Sequence, residues 1–229
     1  MTTQLPLNIE LNDSHSFENY YSGPNQQIVE YFQQLFEEDG GQFIYIWGGE
    51  GAGKSHLVQA LCRYFSVSGK PAFYLPLKNK QDFTKEVFEN LENMSLVVID
   101  DIDQIIGDAA WEEALFHLYN RVKDSQGSHL IISGNAAPDE LGVSLADLAS
   151  RLLWGMVFHI KVLNDQDKLK ALQQRAHYRG LELSDEVAGY LLNNCPRDLP
   201  YLFGLLDKLD QASLVAQRKL TIPFIKTLL

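Results

Sequence analysis

Eight consecutive residues, Gly48-Gly49-Glu50-Gly51-Ala52-Gly53-Lys54-Ser55, bring four glycines, a lysine and a hydroxyl together. They satisfy G-x-x-x-x-G-K-[ST] at every fixed position. Glycines let a backbone turn without Cβ clashes and approach an anion closely, and the amides of such a loop and of the following helix N-terminus point at phosphate. Lys54 is expected to neutralise the β and γ phosphates of a nucleotide, and Ser55 to offer its hydroxyl to Mg²⁺. His56 continues the loop into the helix and is counted with the nucleotide-binding residues. A chance glycine turn is the alternative. It is disfavoured because FIYIW upstream and HLVQAL downstream supply the strand and helix that a phosphate-binding loop requires.

A second group of acids lies about 45 residues downstream, in SLVVIDDID, where four apolar residues run into Asp100 and Asp101. Ligands of open α/β sheets sit at the carboxyl ends of the strands, where this pair falls. Asp100 is expected to hold Mg²⁺ through water, and Asp101 to orient or deprotonate an attacking water. LIISGN brings Ser133 and Asn135 to the same end of another strand. Asn135 either contacts the γ-phosphate or the attacking water, or belongs to an ordinary turn, since Gly-Asn before Ala-Ala-Pro is good turn chemistry.

Two arginines fall outside these motifs. In SLADLASRLLWG, Ser144 is a candidate N-cap with Asp147 three residues on, and Leu145, Leu148, Ala149 and Leu152 recur at the spacing of one buried helix face. At 100° per residue, Arg151 lies roughly 115° from the centre of that stripe and points away from it. Helical geometry alone leaves it solvated or paired within the chain. Arg197 stands just before a helix with Pro200 in its first turn; it is a surface arginine, or reaches the phosphates if the helical region folds over the loop.

The elements that position these groups follow from hydropathy. Short apolar runs (the strand before the glycine loop, Ala72–Leu77, Leu96–Ile99, Leu130–Ser133) alternate with helical patterns at Pro24–Phe36, after the loop, Asp82–Leu91 and Trp111–Lys123. That predicts an α/β parallel sheet with helices on both faces. From about Leu163 only helices are predicted: Asp165–Tyr178, Ser184–Asn194, Asp198–Gln217 and a short Pro223–Leu229. The expected organisation is an N-terminal segment (1–15), a nucleotide-binding base (16–162) and a small all-helical domain (163–229).

With 45% hydrophobic and 21% charged residues in 229, the chain can build a sizeable core. It lacks an apolar run of membrane-spanning length and a secretory leader pattern, so a cytoplasmic protein is expected. Cys62 and Cys195 are expected to be reduced thiols rather than a disulfide or metal site. Residues 1–160 carry 9 Lys and Arg against 22 Asp and Glu, a balance of −13, while residues 161–229 carry 10 against 8, or +2. A protein whose main task is gripping DNA needs basic surface to displace counterions, so nucleic acid is disfavoured as the primary partner.

Taken together, the glycine loop, the IDD strand, SGNAAP, DLASRLLWG, the entry segment SFENYYSGPNQQ and the terminal AQRKLTIPF resemble the AAA+ ATPases. Within them the resemblance is to the DnaA family of bacterial replication initiators, in particular its short homologues that inactivate DnaA, and it covers essentially the whole chain. It implies an AAA+ base followed by a helical lid, with ADP or ATP and Mg²⁺ in the cleft between them, and preferentially ADP. It sets Asn135 at the sensor-1 position, Arg151 at the arginine-finger position and Arg197 at the sensor-2 position. A finger serves a neighbour's active site, so DnaA itself is the implied partner, and assembly of several copies is allowed. QLPLNI, with Gln4, Leu5, Leu7 and Ile9, resembles a peptide that docks on the sliding clamp (β subunit) of DNA polymerase III; in extended form Leu5, Leu7 and Ile9 share a face. A disordered end or a first strand is the alternative. DNA would then be approached only through the clamp. No counterpart of DnaA's C-terminal DNA-binding domain is seen.

There are two departures from the family pattern. Asp101 stands where many AAA+ proteins carry glutamate, one methylene longer, so weak or absent intrinsic hydrolysis is expected. Asn135 is uncharged where DnaA has aspartate. Three functions compete: a clamp-docked regulator that promotes hydrolysis by DnaA, a self-sufficient ATPase that loads or remodels a DNA-bound replication complex, and a passive adaptor that merely holds nucleotide.

Overall fold

The computed structural model describes residues 15–38, 40–125 and 127–228. The apolar runs become the parallel strands β1 (Phe43–Trp47), β2 (Ala72–Pro76), β3 (Leu96–Asp100) and β4 (His129–Gly134), joined by β5 (Met156–His159) in the order β2-β3-β4-β1-β5. β3 and β4 are buried along their whole length, which is why their sequences read as continuous apolar runs rather than alternations. β5 escapes the sequence pattern for the opposite reason. It is a four-residue edge strand pairing only with β1, and Met156, Val157 and His159 are exposed.

Helices cover both faces. From α2 (Lys54–Val67), Leu57, Leu61 and Phe65 are fully buried, as are Leu96, Val98 and Ile131 of the sheet. On strand residues of the opposite parity, Val97, Ile99, Leu130 and Ile132 pack with Leu115, Leu118 and Tyr119 of α3 (Ala109–Ser125). The remaining helices are α1 (Gln26–Gln34), α4 (Ala146–Leu152), α5 (Asp165–Tyr178), α6 (Asp185–Asn194), α7 (Leu199–Ala216) and α8 (Ile222–Lys226).

The amphipathic helix predicted at Asp82–Leu91 is not formed. The segment is a string of 3-10 turns, Leu77–Asp82, Lys85–Phe88 and Leu91–Asn93, separated by extended Phe83, Thr84 and Glu89 and by Asn90 at φ 63°. A continuous helix would present one stripe. The broken chain instead inserts Leu77, Phe88 and Leu91 separately into the core beside α3.

The chain divides into two compact units. One holds residues 27–161 with the described residues up to Phe17; the other holds residues 162–228 with Glu18–Gln26. The second unit has its own core of Leu172, Leu191, Leu202, Leu206 and Ile225, and among its described residues there is no strand. Its helices start where capping chemistry dictates. Asn164, Ser184 and Asp198 each accept a bond from a backbone N–H three residues on. Glu18 and Tyr21 are tied to this unit by bonds to Gln174 and Asp167. Among the described residues no helix is long and apolar enough to cross a membrane, and both cysteines are free thiols.

One buried group makes stability depend on pH. The His129 ring is buried on β4, its Nδ1 accepts from the Gln42 N–H at 3.2 Å, and burial, with the Lys70 charge nearby, pushes its pKa down to about 4. An unfolded imidazole takes its proton near pH ~6.5, so between those values the unfolded chain binds the extra proton. The stability contributed by the neutral ring is therefore complete above that window and is lost as pH falls through it. Scanning calorimetry from pH 7 to pH 5 should show a steeper fall in melting temperature for the wild type than for His129→Gln. Parallel curves would assign the pH dependence to other groups.

Candidate functional site

The glycine loop folds as its composition demands. Gly51 and Gly53 take φ of 75° and 91°, a region that side chains disfavour. A Cβ on Gly48 would lie 2.3 Å from the carbonyl oxygen of Ile160. Lys54 opens α2, is buried, and donates all three of its bonds inward: to Gly48 O (2.8 Å), Gly49 O (3.2 Å) and Asn135 Oδ1 (2.9 Å). The first two hold the loop's shape, and the third joins it to the end of β4. Asn135 is fixed from the other side, its N–H donating to the Asp103 carboxylate at 2.9–3.0 Å.

Asp100 ends β3 and is 1% exposed. Its Oδ2 accepts from the Tyr74 hydroxyl at 2.7 Å and its Oδ1 from Ser133 Oγ, which in turn accepts from the N–H of Asp101 at 2.9 Å. Asp101 sits at φ 61°. Its carboxyl is pushed up by burial and by the Asp100 charge, against the opposing pull of Lys54 and Lys78. Burial lowers the pKa of Lys54, while Asp101, Asp100, Asp103 and Glu50 act against it. Lys54, Asn135, Asp100, Asp101 and Glu50 thus converge at the carboxyl edge of the sheet. Ser55 follows Lys54 there, half-buried. Ser55 and Asp100 each offer oxygen, the donor type that suits a hard cation such as Mg²⁺.

Other predicted residues make contacts of their own. His56 stacks on His15 at 4.4 Å between centroids and bonds Ser16 O at 3.2 Å. Arg197 pairs with Asp165 at 2.6 Å within the helical unit, both side chains being more than half exposed. Arg151 is half-buried rather than solvated. Its guanidinium lies 5.7 Å from the Tyr119 ring centroid and 5.2 Å from that of Trp154, and it makes no ion pair among the described residues. With Gly155 and Phe43 it lines a crevice at the amino end of β1. The glycine loop begins at the other end of that five-residue strand, roughly 15 Å away at the usual rise per residue. Gln4, Leu5, Leu7 and Ile9 lie outside the described residues.

The entry to the Arg151 helix corrects the sequence reading. Ser144 does not cap it; α4 starts after Leu145, without a side-chain cap. The acceptor comes from α3 instead. Glu112, fully buried, takes the N–H groups of Ser144 (3.2 Å) and Leu145 (2.7 Å) together with that of Gly107 (2.7 Å). No sequence pattern links positions 32 residues apart, so this residue was missed; the one available signal was an acid inside an otherwise apolar helical stripe. Glu112→Ala should remove the buried acceptor of three backbone N–H groups and cost about 1–3 kcal/mol of stability. Denaturant unfolding checks this, and a loss within ~0.5 kcal/mol would mean that water replaces the carboxylate.

A family model for the bacterial DnaA ATPase domain matches residues 11–159, well over half of the chain. The chain belongs to the bacterial DnaA ATPase-domain family. A second model, Hda lid domain, matches residues 165–229. The chain is therefore a DnaA-like AAA+ domain followed by an Hda-type lid. Solved structures share the fold. Domain III of the Thermotoga maritima replication initiation protein DnaA matches with a TM-score of 0.78 at 22% identity, covering 96% of this chain and 97% of that one. AMPPCP-bound DnaA from Aquifex aeolicus gives 0.71 at 24% identity, covering 89% and 67%. The Thermotoga maritima RuvB Holliday junction branch migration motor, at 15% identity, still gives 0.63 over 93% and 72%. The expected AAA+ architecture, a parallel sheet flanked by helices and followed by a helical region, is the one found.

Proposed function

We propose that this DnaA-family chain regulates replication initiation by presenting Arg151 to ATP held by DnaA, promoting its hydrolysis, while residues Gln4–Ile9 dock on the sliding clamp. The observation that carries this reading is the seat of Arg151. Its planar cation has no carboxylate partner among the described residues, rests on Tyr119 and Trp154, and lies a strand's length from the chain's own Lys54. Such a guanidinium can serve a second active site and not its own.

The chain's own loop then holds an adenine nucleotide, ADP by preference. The DnaA of Aquifex aeolicus binds AMPPCP, the same ligand class. Lys54 would meet the phosphates with charge and the amides of Gly49–Ser55 would hold phosphate oxygens, with Arg197 as the candidate nucleotide-binding residue of the lid. Mg²⁺, held by Ser55 and Asp100, supplies positive charge to the phosphate oxygens when bound. Asp101 and Asn135 are the candidates to orient water for whatever slow hydrolysis the chain performs. In the DnaA complex Arg151 stabilises charge that develops on the transferring phosphoryl group, the role that gives trans fingers their ~10³–10⁵-fold effect. The acidic first 160 residues, at −13, suit a protein that reaches DNA through the clamp.

The test of docking is direct. Replacing Gln4, Leu5 and Leu7 together by alanine should abolish co-elution with the clamp, leaving ADP affinity and melting temperature at wild-type values. Co-elution at wild-type affinity would place the docking site elsewhere on the chain.

A further inference from the structure

The Tyr74 hydroxyl, on an edge strand, belongs to none of the motifs above. It is buried, accepts from Gln59 Nε2 at 2.9 Å and donates to Asp100 Oδ2 at 2.7 Å. Gln59 lies one turn along α2 from Ser55 and is itself buried. Because its amide nitrogen is engaged by Tyr74, its Oε1 faces His15 Nδ1, 3.1 Å away. The direction of every bond in this chain is therefore fixed: His15 donates to Gln59, Gln59 to Tyr74, and Tyr74 to Asp100. Ser133 closes the other carboxylate oxygen. His15 is held in turn by its stack on His56, the residue after Ser55.

We propose that Tyr74, aligned by Gln59 and His15, is a positioning residue that orients Asp100 for Mg²⁺ and so sets how strongly the metal supports nucleotide binding. The inference rests on the assignment of Ser55 and Asp100 as the metal-holding pair. The physical reasons are two. A carboxylate accepting one hydroxyl on each oxygen has a single rotameric solution, so its remaining lone pairs point one way. Partners behind a metal ligand also typically matter by ~10–100-fold in metal affinity. The same chain of bonds ends on His15, the last residue of the N-terminal segment (1–15), and so ties that residue to the nucleotide site.

The experiment is titration calorimetry of ADP binding to the full-length protein, with Mg²⁺ varied at fixed ADP and a parallel series in EDTA. In wild type, Mg²⁺ should tighten ADP binding. Asp100→Asn sets the ceiling by removing that gain. Tyr74→Phe should raise the Mg²⁺ concentration giving half of the gain by ~10-fold or more, while ADP affinity in EDTA stays unchanged. Ser133→Ala should act in the same direction, and Gln59→Leu and His15→Ala more weakly, graded by distance along the chain. A merely structural role for Tyr74 would lower affinity equally with and without metal. Equal losses, or a Mg²⁺ response identical to wild type in both Tyr74→Phe and Ser133→Ala, overturns the proposal while leaving the metal assignment intact. A wild type whose ADP binding ignores Mg²⁺ overturns both. If Tyr74→Phe does not fold, Ser133→Ala and Gln59→Leu decide the matter alone.

Discussion

Arg151→Ala is expected to abolish stimulated hydrolysis of DnaA-bound ATP, by about 10³-fold or more at saturating protein, while ADP and clamp binding persist. The variant is not structurally silent. Arg151 is half-buried against Tyr119 and Trp154, and cation–π contacts of this kind contribute ~0.5–1 kcal/mol each. The melting temperature should drop by a few degrees, on the order of 2–4 °C per kcal/mol for a chain of this size. Arg151→Lys separates the two contributions. Lysine keeps the charge near the rings but loses the planar fork that matches phosphate oxygens, so stability should recover and stimulation should not. If lysine restored both together, Arg151 would be a packing residue. If alanine left stimulation intact at saturation, the finger mechanism would be wrong.

Lys54→Ala should weaken ADP and ATP binding by ~10²–10⁴-fold, since two charge-assisted bonds to phosphate, each about 1.5–3 kcal/mol, are lost. The geometry adds a second effect. Lys54 also bridges Gly48, Gly49 and Asn135, so its removal frees the loop from the end of β4. It also takes away the cation opposing the Asp100 and Asp101 charges, so the Asp101 carboxyl, already pushed up by burial, should rise further. Calorimetry with either nucleotide checks the affinity, and unchanged ADP binding would remove phosphate capture from the account. If the proposed action on DnaA requires bound nucleotide, the same variant should also fail to stimulate DnaA.

What was legible in the sequence divides along a physical line. The glycine loop could be read because its function is local: eight successive residues make the turn, the amides and the cation, and the flanking strand and helix announce themselves by hydropathy. β3 and β4 were legible because burial on both faces leaves apolar runs, and the lid helices because Ser184 and Asp198 cap them from within their own turn. The segment around Phe83–Leu91 misled because an apolar spacing of three or four suits successive 3-10 turns as well as a helix. The acceptor for the start of α4 was illegible in principle: Glu112 comes from another helix, and Ser144, which has the right chemistry, stands one residue too early. Likewise nothing in the spacing of Gln59, Tyr74 and Asp100 announces that they bond to one another; only the register of β2 on β3, which sets Pro76 beside Asp100 and Tyr74 beside Val98, brings them together. The roles proposed for Asn135, Arg151 and Arg197 rest on family resemblance, and helix geometry alone would have left Arg151 on the surface.

The most direct measurement asks whose ATP is hydrolysed. DnaA is loaded with γ-labelled ATP and the present protein with unlabelled ADP; the two are mixed with clamp on DNA under single-turnover conditions, and labelled phosphate is followed over time. The account predicts rapid release that requires the clamp, Arg151 and the Gln4–Ile9 segment, and that is unaffected by Asp101→Asn in this chain. Release that appears only when the label is placed on this chain's own nucleotide, or that persists with Arg151→Ala, would contradict it.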